Sequence, residues 1–168
     1  MAGAGGAGPR IRAAEPADVP MLLSLFAELA AYEHLEGILV ADEERLSRAL
    51  FGERPAAEAL IAQLGDEVAG YAVFYPTFSS FLAIQGIWLE DLFVRPAQRQ
   101  AGVGRALLAA VAAALVERGG ERLEWSALDW NELALGFYRG LGAERMDEWI
   151  TLRLTGEHLR ALAGEAAA

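Results

Sequence analysis

The segment that decides the fold is Leu89-Glu90-Asp91-Leu92-Phe93-Val94-Arg95-Pro96-Ala97-Gln98-Arg99-Gln100-Ala101-Gly102-Val103-Gly104-Arg105. It closes an apolar run from Ile84 to Val94 that is rich in β-branched and aromatic residues, a composition that predicts a strand. Arg95-Pro96 ends the run, because proline cannot donate to a sheet ladder. From Val103 to Arg118, apolar residues recur every fourth position, which predicts an amphipathic helix. The segment therefore predicts a strand, a loop and a helix in immediate succession.

The loop of this segment has the composition of an anion site. Its small residues let backbone N–H groups approach a ligand closely, and the start of the following helix favours a bound anion. The positive charges nearby are Arg95, Arg99 and Arg105. The loop lacks the Gly-Lys-Ser/Thr ending of a P-loop and the full Gly-x-Gly-x-x-Gly of a dinucleotide site. It predicts a site for another phosphate carrier, and a helix-entry turn without a ligand is the alternative.

Upstream of the segment, the pattern predicts a hairpin. Residues 57–64 and 67–75 are apolar, β-rich runs separated by Gly65-Asp66, a two-residue hairpin signal. Pro76 and the serine pair Ser79-Ser80 are expected to end the second run.

Near the N-terminus, the sequence predicts one strand and two helices. Residues 11–14 form a short strand candidate, and Asp18 is expected to cap the first helix. Asp42 is expected to cap a second helix, which Gly52 and Pro55 end.

Downstream, residues 121–129 predict another strand, and Asn131 is expected to cap a helix that ends at Leu141. Residues 148–154 predict a last strand, followed by a short helix. The order of elements indicates a mixed α/β sheet covered by helices. Strand, loop, helix and strand in residues 87–129 imply a parallel pair with a right-handed crossover.

Length and composition limit the possible functions. With 168 residues, we expect a flexible segment at residues 1–9 and a single domain at residues 10–168. The absence of cysteine excludes a thiolate nucleophile, and His34 and His158 are too far apart in sequence to suggest a metal site. The net charge of −10 opposes nucleic-acid binding and would attract cationic small molecules, although a merely soluble acidic surface is the alternative. No run is long enough to span a membrane, so we expect a cytoplasmic protein.

Arg99-Gln100-Ala101-Gly102-Val103-Gly104 fits the pattern Gln/Arg-x-x-Gly-x-Gly/Ala, and on this basis the chain resembles the GCN5-related N-acetyltransferase (GNAT) family. It looks closest to the diamine, or spermidine/spermine, acetyltransferase branch. The segments that carry this closeness are Tyr32-Glu33, Leu89 to Val94, and Trp130-Asn131-Glu132 followed by Phe137-Tyr138. The resemblance implies a mixed, mainly antiparallel sheet with a central parallel pair and flanking helices. It also implies acetyl transfer from acetyl-CoA to a primary amine, no metal, and a homodimer.

The resemblance also implies which residues contact acetyl-CoA. They are the backbone of Leu92, Phe93 and Val94, the loop residues Arg99, Gln100, Ala101, Gly102, Val103, Gly104 and Arg105, and the helix start Asn131, Glu132, Leu133 and Ala134. Gln100 departs from the family pattern, since many relatives have glycine there, and its side chain could narrow the approach to the backbone.

Glu90 is the first catalytic candidate. Strand alternation places it on one face with Trp88, Leu92 and Val94, while Asp91 points the other way. A carboxylate on an apolar face loses water, which makes it a stronger base. A solvated carboxylate or a salt bridge is the alternative, and the resemblance implies a general base at this position.

Tyr138 is the second catalytic candidate. Its place beside Phe137 on the predicted helix is equally compatible with a tyrosine at the core rim. The resemblance implies that it protonates the departing coenzyme A thiolate, and a phenol stays protonated at neutral pH while a thiolate accepts a proton readily. Tyr32 and Glu33 match residues that contact the amine in the polyamine branch, with a solvated helix end as the alternative.

The sequence defines the substrate less well than it defines the reaction. Where the polyamine enzymes carry an aspartate and a tryptophan, this chain has Phe78-Ser79-Ser80-Phe81. The missing negative charge leaves diamines, thialysine-like amino acids and other aminoalkyl compounds open beside polyamines. Two other functions fit the same fold: acetylation of a protein or peptide amine, and a non-catalytic acyl-CoA sensor.

Overall fold

A computed structural model describes residues 8–166, so most of the predicted flexible segment 1–9 lies outside the described residues. The strands are β1 (Arg10–Ala13), β2 (Glu58–Leu64), β3 (Glu67–Ser79), β4 (Ile84–Val94) and β5 (Arg122–Trp125). The helices are α1 (Val19–Glu33), α2 (Glu43–Phe51), α3 (Val103–Glu117), α4 (Glu132–Arg139) and α5 (Gly156–Glu165). Short 3-10 turns lie at Pro16–Asp18, Glu36–Ile38 and Pro96–Gln98.

The chain divides into two compact units. The first extends to Ser126 and contains the whole sheet with α1, α2 and α3; the second begins at Ala127 and contains α4 and α5. Within residues 8–166, none of the helices combines the length and the apolarity that crossing a bilayer requires.

The sheet has the strand order β1-β2-β3-β4-β5. Every neighbouring pair is antiparallel except β4 and β5, which run parallel and are joined through α3. The predicted fold class, a mixed and mainly antiparallel sheet with one parallel pair and flanking helices, is confirmed. In the described sheet this pair lies at the β5 edge.

β3 is longer than the sequence predicted. It continues through Pro76 to Ser79, so the expectation that Pro76 ends the strand is wrong. The last residue of β3 that pairs with β2 is Phe74, which makes the rest of β3 an edge on that side. Proline is tolerated there because an edge strand needs no N–H donor on its open side.

The two faces of the sheet are covered by different helices. Tyr71, Val73 and Phe93 on one face form a buried cluster with Leu22 and Leu25 of α1. The alternate residues of β3 point to the other face, where α3 packs on β3 and β4. The predicted amphipathic helix is confirmed, and its buried residues are Val103, Leu107, Leu108, Val111 and Leu115.

The predicted helix caps have different outcomes. The side chain of Asp42 accepts a hydrogen bond from the Arg45 backbone N–H at 2.8 Å, which confirms this cap. Asp18 makes no side-chain cap to α1, because its carboxylate pairs with Arg12 and accepts the Glu15 backbone N–H at 2.8 Å. Its pKa is lowered, chiefly by the hydrogen bond from Arg12.

One predicted strand boundary and one predicted strand are wrong. β5 ends at Trp125 instead of residue 129, and residues 148–154 form no strand. Strands need hydrogen-bonding partners, and β5 pairs with β4 only from Gly86 to Leu89. The apolar side chains of residues 148–154 are exposed instead, with Ile150 at 80% and Leu152 at 85%.

Candidate active site

A β-bulge in β4 organises the candidate site. The register passes from Val73 opposite Asp91 to Phe74 opposite Leu89, which leaves Glu90 as the extra residue. A bulge bends its strand and turns the side chains beside it in new directions, and bulges are common next to active sites.

The bulge brings Glu90 and Asp91 to the same face of the sheet. Tyr71 and Tyr75 share one face of β3, because they are four positions apart in a regular stretch of the strand. The Tyr71 hydroxyl donates to Asp91 Oδ2 at 3.3 Å, and the Tyr75 hydroxyl donates to Glu90 Oε2 at 3.5 Å. The prediction that Asp91 points away from Glu90 is therefore wrong, because simple alternation does not hold across a bulge.

Glu90 itself is exposed, so the desolvation expected at an apolar face does not occur there. Its carboxylate is held by the indole of Trp88, which donates from Nε1 to Oε2 at 3.0 Å. The structure therefore shows the alternative, a solvated carboxylate, and neighbouring donors orient it.

The desolvated carboxylate is Asp91, which the sequence analysis missed. Burial raises the pKa of Asp91 from 3.8 to about 6, and the charges of Glu90 and Glu33 act in the same direction, while the Tyr71 hydrogen bond lowers it. Burial also raises the pKa of Glu33 at the end of α1, and it raises the pKa of Tyr71 so that this donor stays protonated. The adjacent Glu-Asp pair was the available signal for Asp91, and the assumption of alternation hid it.

Tyr32 and Glu33, the predicted amine contacts, both lie half-buried in the last turn of α1. The guanidinium carbon of Arg99 stands 4.6 Å from the centre of the Tyr32 ring, a cation–π distance. Arg99 Nε also donates to the Val94 carbonyl at 3.2 Å. The end of α1 therefore touches the loop between β4 and α3.

The loop itself bends twice through left-handed backbone. Gln100 has φ +66° and Gly102 has φ +80°, and α3 begins directly after at Val103. The side chain of Gln100 is exposed, and no described heavy atom lies within 4 Å of a Cβ built on Gly102. This backbone is open to a ligand, and the first N–H groups of α3 have no partners within the helix. The geometry fits a bound pyrophosphate.

The predicted loop residues differ in exposure. Ala101 and Arg105 are exposed, Gly104 is half-buried, and the Val103 side chain is in the core. Arg95, one of the three expected positive charges, is engaged elsewhere: it pairs with Glu28 at 2.7 Å and donates to the Val68 carbonyl at 2.9 Å. Arg95 therefore fixes the end of β4 to α1 and β3 instead of adding charge to the loop.

The edge of β4 from Glu90 to Val94 has no strand partner on the β5 side among the described residues, since pairing with β5 stops at Leu89. The predicted coenzyme contacts Leu92, Phe93 and Val94 lie on this edge, and Phe93 turns its side chain into the core. On this open side the strand presents backbone N–H and C=O groups, which are the groups through which the resemblance implies contact with acetyl-CoA.

The second unit holds the remaining predicted residues. Asn131 caps α4 as expected, its side chain accepting from the Ala134 backbone N–H at 3.2 Å. Glu132 and Leu133 are exposed in the first turn of α4, where backbone N–H groups again lack helical partners. The half-buried Tyr138 packs against Phe137, with 5.2 Å between the ring centres.

Comparison with known proteins identifies the family of this chain. A family model described as the acetyltransferase (GNAT) family matches residues 25–143. The chain is 35% identical over 166 residues to a thialysine N-epsilon-acetyltransferase of Bos taurus, covering 92% of this chain and 97% of that protein. It is 33% identical over 198 residues to L-ornithine N5-acetyltransferase NATA1 of Arabidopsis thaliana, covering 91% of this chain and 87% of that protein.

A solved structure shares the fold. An integron cassette protein from the mobile metagenome of V. cholerae superposes with a TM-score of 0.77 at 27% sequence identity, covering 94% of this chain and 99% of that one.

Proposed function

Since the chain belongs to the acetyltransferase (GNAT) family and is an acetyl-CoA-dependent N-acetyltransferase, we propose that it acetylates a primary amine of a small cationic substrate. The observation that carries this proposal is the group of carboxylates at the α1 face of the sheet. Glu90 and Asp91 lie together at the bulge, and Glu33 is near enough to raise the pKa of Asp91. Such a group attracts a protonated amine.

The substrate proposal is a diamine, a polyamine or a thialysine-like amino acid. The relatives named for thialysine and ornithine support a side-chain amine. Phe78 and Phe81 at the β3–β4 turn are exposed and carry no charge. In this proposal, Asp91 and Glu33 supply the negative charge that the turn lacks, so a cationic substrate remains favoured.

The proposed mechanism is direct attack of the amine with both substrates bound. Acetyl-CoA supplies an activated acetyl thioester. Glu90 accepts a proton from the substrate ammonium, directly or through a water molecule. The backbone N–H of Leu92 or Phe93 donates to the carbonyl oxygen as negative charge develops on it. Tyr138 donates its phenolic proton to the departing sulfur.

Three parts of the chain are proposed to hold the coenzyme. The loop from Arg99 to Arg105 receives the pyrophosphate, the open edge of β4 from Leu92 to Val94 offers backbone groups, and Asn131 to Ala134 contribute from α4. The two left-handed residues and the open position at Gly102 support the loop assignment. Tyr32, Glu33 and Glu90 are proposed to contact the amine.

An amine panel that follows release of the coenzyme A thiol tests the function. The panel contains putrescine, spermidine, ornithine, lysine, thialysine and short peptides with a free N-terminus. Turnover of the small cationic amines above the peptides is the expected result. Turnover of peptides alone would point to a peptide acetyltransferase, and coenzyme binding with no turnover of any amine would point to an acyl-CoA sensor; either result overturns the proposal.

A further inference from the structure

Trp88 makes a direct contact with the proposed general base. Its indole Nε1 donates to Glu90 Oε2 at 3.0 Å, a good hydrogen-bond distance. Trp88 and Glu90 are two positions apart in β4, so alternation along the strand places both side chains on one face. The second donor is the Tyr75 hydroxyl, which donates to the same oxygen in a longer hydrogen bond of 3.5 Å.

The chemistry of the donor gives this contact a direction. An indole N–H can only donate and an ionised carboxylate can only accept, so Trp88 can hold the Glu90 carboxylate by one of its oxygens. Both donors found among the described residues use Oε2. The other carboxylate oxygen, Oε1, is thereby left to receive the proton of an approaching ammonium group.

Tyr75 supports the same arrangement from across the hairpin. It pairs with Trp88 in the β3–β4 register, so both side chains lie beside Glu90 on the same face. Burial, followed by the charge of Glu90, raises the pKa of Tyr75, which keeps its hydroxyl a donor.

We infer that Trp88 is a positioning residue for acetyl transfer: its indole N–H holds the Glu90 carboxylate in one orientation, toward the substrate amine. This inference rests on the proposed function, in which Glu90 removes the proton. It adds a residue that neither the sequence pattern nor the relatives assigned.

Trp88→Phe tests the inference, because it keeps an aromatic ring and deletes the N–H. A hydrogen bond to a charged group is strong enough for its loss to lower kcat about 10-fold. The KM for acetyl-CoA should stay unchanged. Trp149→Phe makes the same substitution at a position that is 72% exposed and is expected to leave kcat unchanged.

A double variant separates positioning from packing. In a Glu90→Gln background, Trp88→Phe is expected to cause no further loss of kcat, because the two residues act through one carboxylate. A purely structural tryptophan would instead give additive losses of kcat, which would overturn the inference while leaving the amine activity of the wild type intact. Absence of wild-type turnover with every amine would instead overturn the proposed function.

An NMR measurement tests the contact without relying on activity or on folding of the Trp88 variant. The chain has four tryptophans, so the indole ¹H–¹⁵N signal of Trp88 can be assigned in the wild type through the backbone. This signal is expected to differ between the wild type and Glu90→Gln at the same pH, because the substitution replaces the carboxylate that accepts the indole N–H with an amide. An indole signal that is unchanged in Glu90→Gln would overturn the contact.

Discussion

At the residue scale, Glu90 and Asp91 are chain neighbours with different surroundings. Glu90 is exposed and accepts from Trp88, whereas burial raises the pKa of Asp91 to about 6. Carboxylates whose environments differ in this way commonly take different roles in one site. In the proposed function, Glu90 accepts the proton of the substrate ammonium, and Asp91 adds negative charge near the amine.

Glu90→Gln is expected to lower kcat at neutral pH by about 10² to 10⁴, the usual contribution of a general base. The defect should shrink as pH approaches about 10.4, where a lysine-like amine loses its proton unaided. A pH–rate profile with the best amine of the panel measures both effects. Glu117→Gln, at the exposed end of α3, is the control. An unchanged rate at neutral pH would remove the base assignment.

Asp91→Asn is expected to stabilise the protein at pH 8 and to leave it unchanged below pH 4. The unfolded chain ionises Asp91 near 3.8 and the folded chain only near 6, so stability from this group is lost as pH rises through that window. At 1.36 kcal/mol per pKa unit, and allowing for partial exposure, the gain is about 1–2 kcal/mol. Asparagine retains an oxygen that accepts from Tyr71.

Urea unfolding at pH 4 and pH 8 measures the effect of Asp91→Asn. Asp147→Asn is the control, because Asp147 forms only an exposed ion pair with Arg145. A stability difference between Asp91→Asn and the wild type that is equal at both pH values would contradict the predicted cost of the buried charge.

Tyr138→Phe removes one hydroxyl and keeps the ring that packs on Phe137. Its kcat is expected to fall by about 10² to 10⁴, as for loss of a general acid. Calorimetric titration should show that acetyl-CoA and the amine still bind. If the variant keeps full kcat with the best amine, the general-acid role is wrong and Tyr138 has only a packing role.

At the element scale, the β4–α3 connection combines a fixed end with an open loop. Arg95 fixes the end of β4 through its paired contact with Glu28. The loop then uses left-handed backbone at Gln100, where a non-glycine residue costs about 1–2 kcal/mol. Since the Gln100 side chain is exposed, the glycine of many relatives is not needed here for space.

Gly102→Glu is expected to raise the KM for acetyl-CoA at least about 10-fold, because it adds negative charge beside a pyrophosphate. Gly102→Ala is the matched control: it imposes the same cost of a side chain at φ +80°, and its Cβ meets no described atom within 4 Å. Steady-state kinetics of both variants separate charge from backbone strain. Equal KM values in the two variants would remove the loop as the pyrophosphate site.

At the scale of the whole molecule, the segment before α5 exposes several large apolar side chains. Trp149, Ile150 and Leu152 are 72%, 80% and 85% exposed. Contiguous exposed apolar residues commonly mark an association surface. The homodimer implied by the resemblance stays a prediction, as do the single domain at residues 10–168 and the cytoplasmic location.

Light scattering at micromolar concentration is expected to give the mass of a dimer. Ile150→Glu with Leu152→Glu should shift the mass toward that of a monomer, because two charges replace apolar contact area. Arg153→Glu changes a charge in the same segment without removing apolar surface, and it is expected to perturb the dimer less. A monomeric wild type would contradict the prediction.

Features set by short stretches of sequence were predicted correctly. The Gly65-Asp66 hairpin, the amphipathic face of α3 and the caps at Asp42 and Asn131 all follow from residues within one or two turns of each other. Local backbone preferences and apolar periodicity suffice for such features, and the motif in the β4–α3 loop was recognisable for the same reason.

Features that depend on strand pairing were decided only by the tertiary structure. The bulge at Glu90 exists only in the register between β3 and β4, and it placed Asp91 on the same face as the proposed base. The continuation of β3 through Pro76, the early end of β5 and the engagement of Arg95 with Glu28 likewise depend on distant partners. A sequence pattern gives the period of a strand but not its partner, so it cannot reveal where one residue slips out of register.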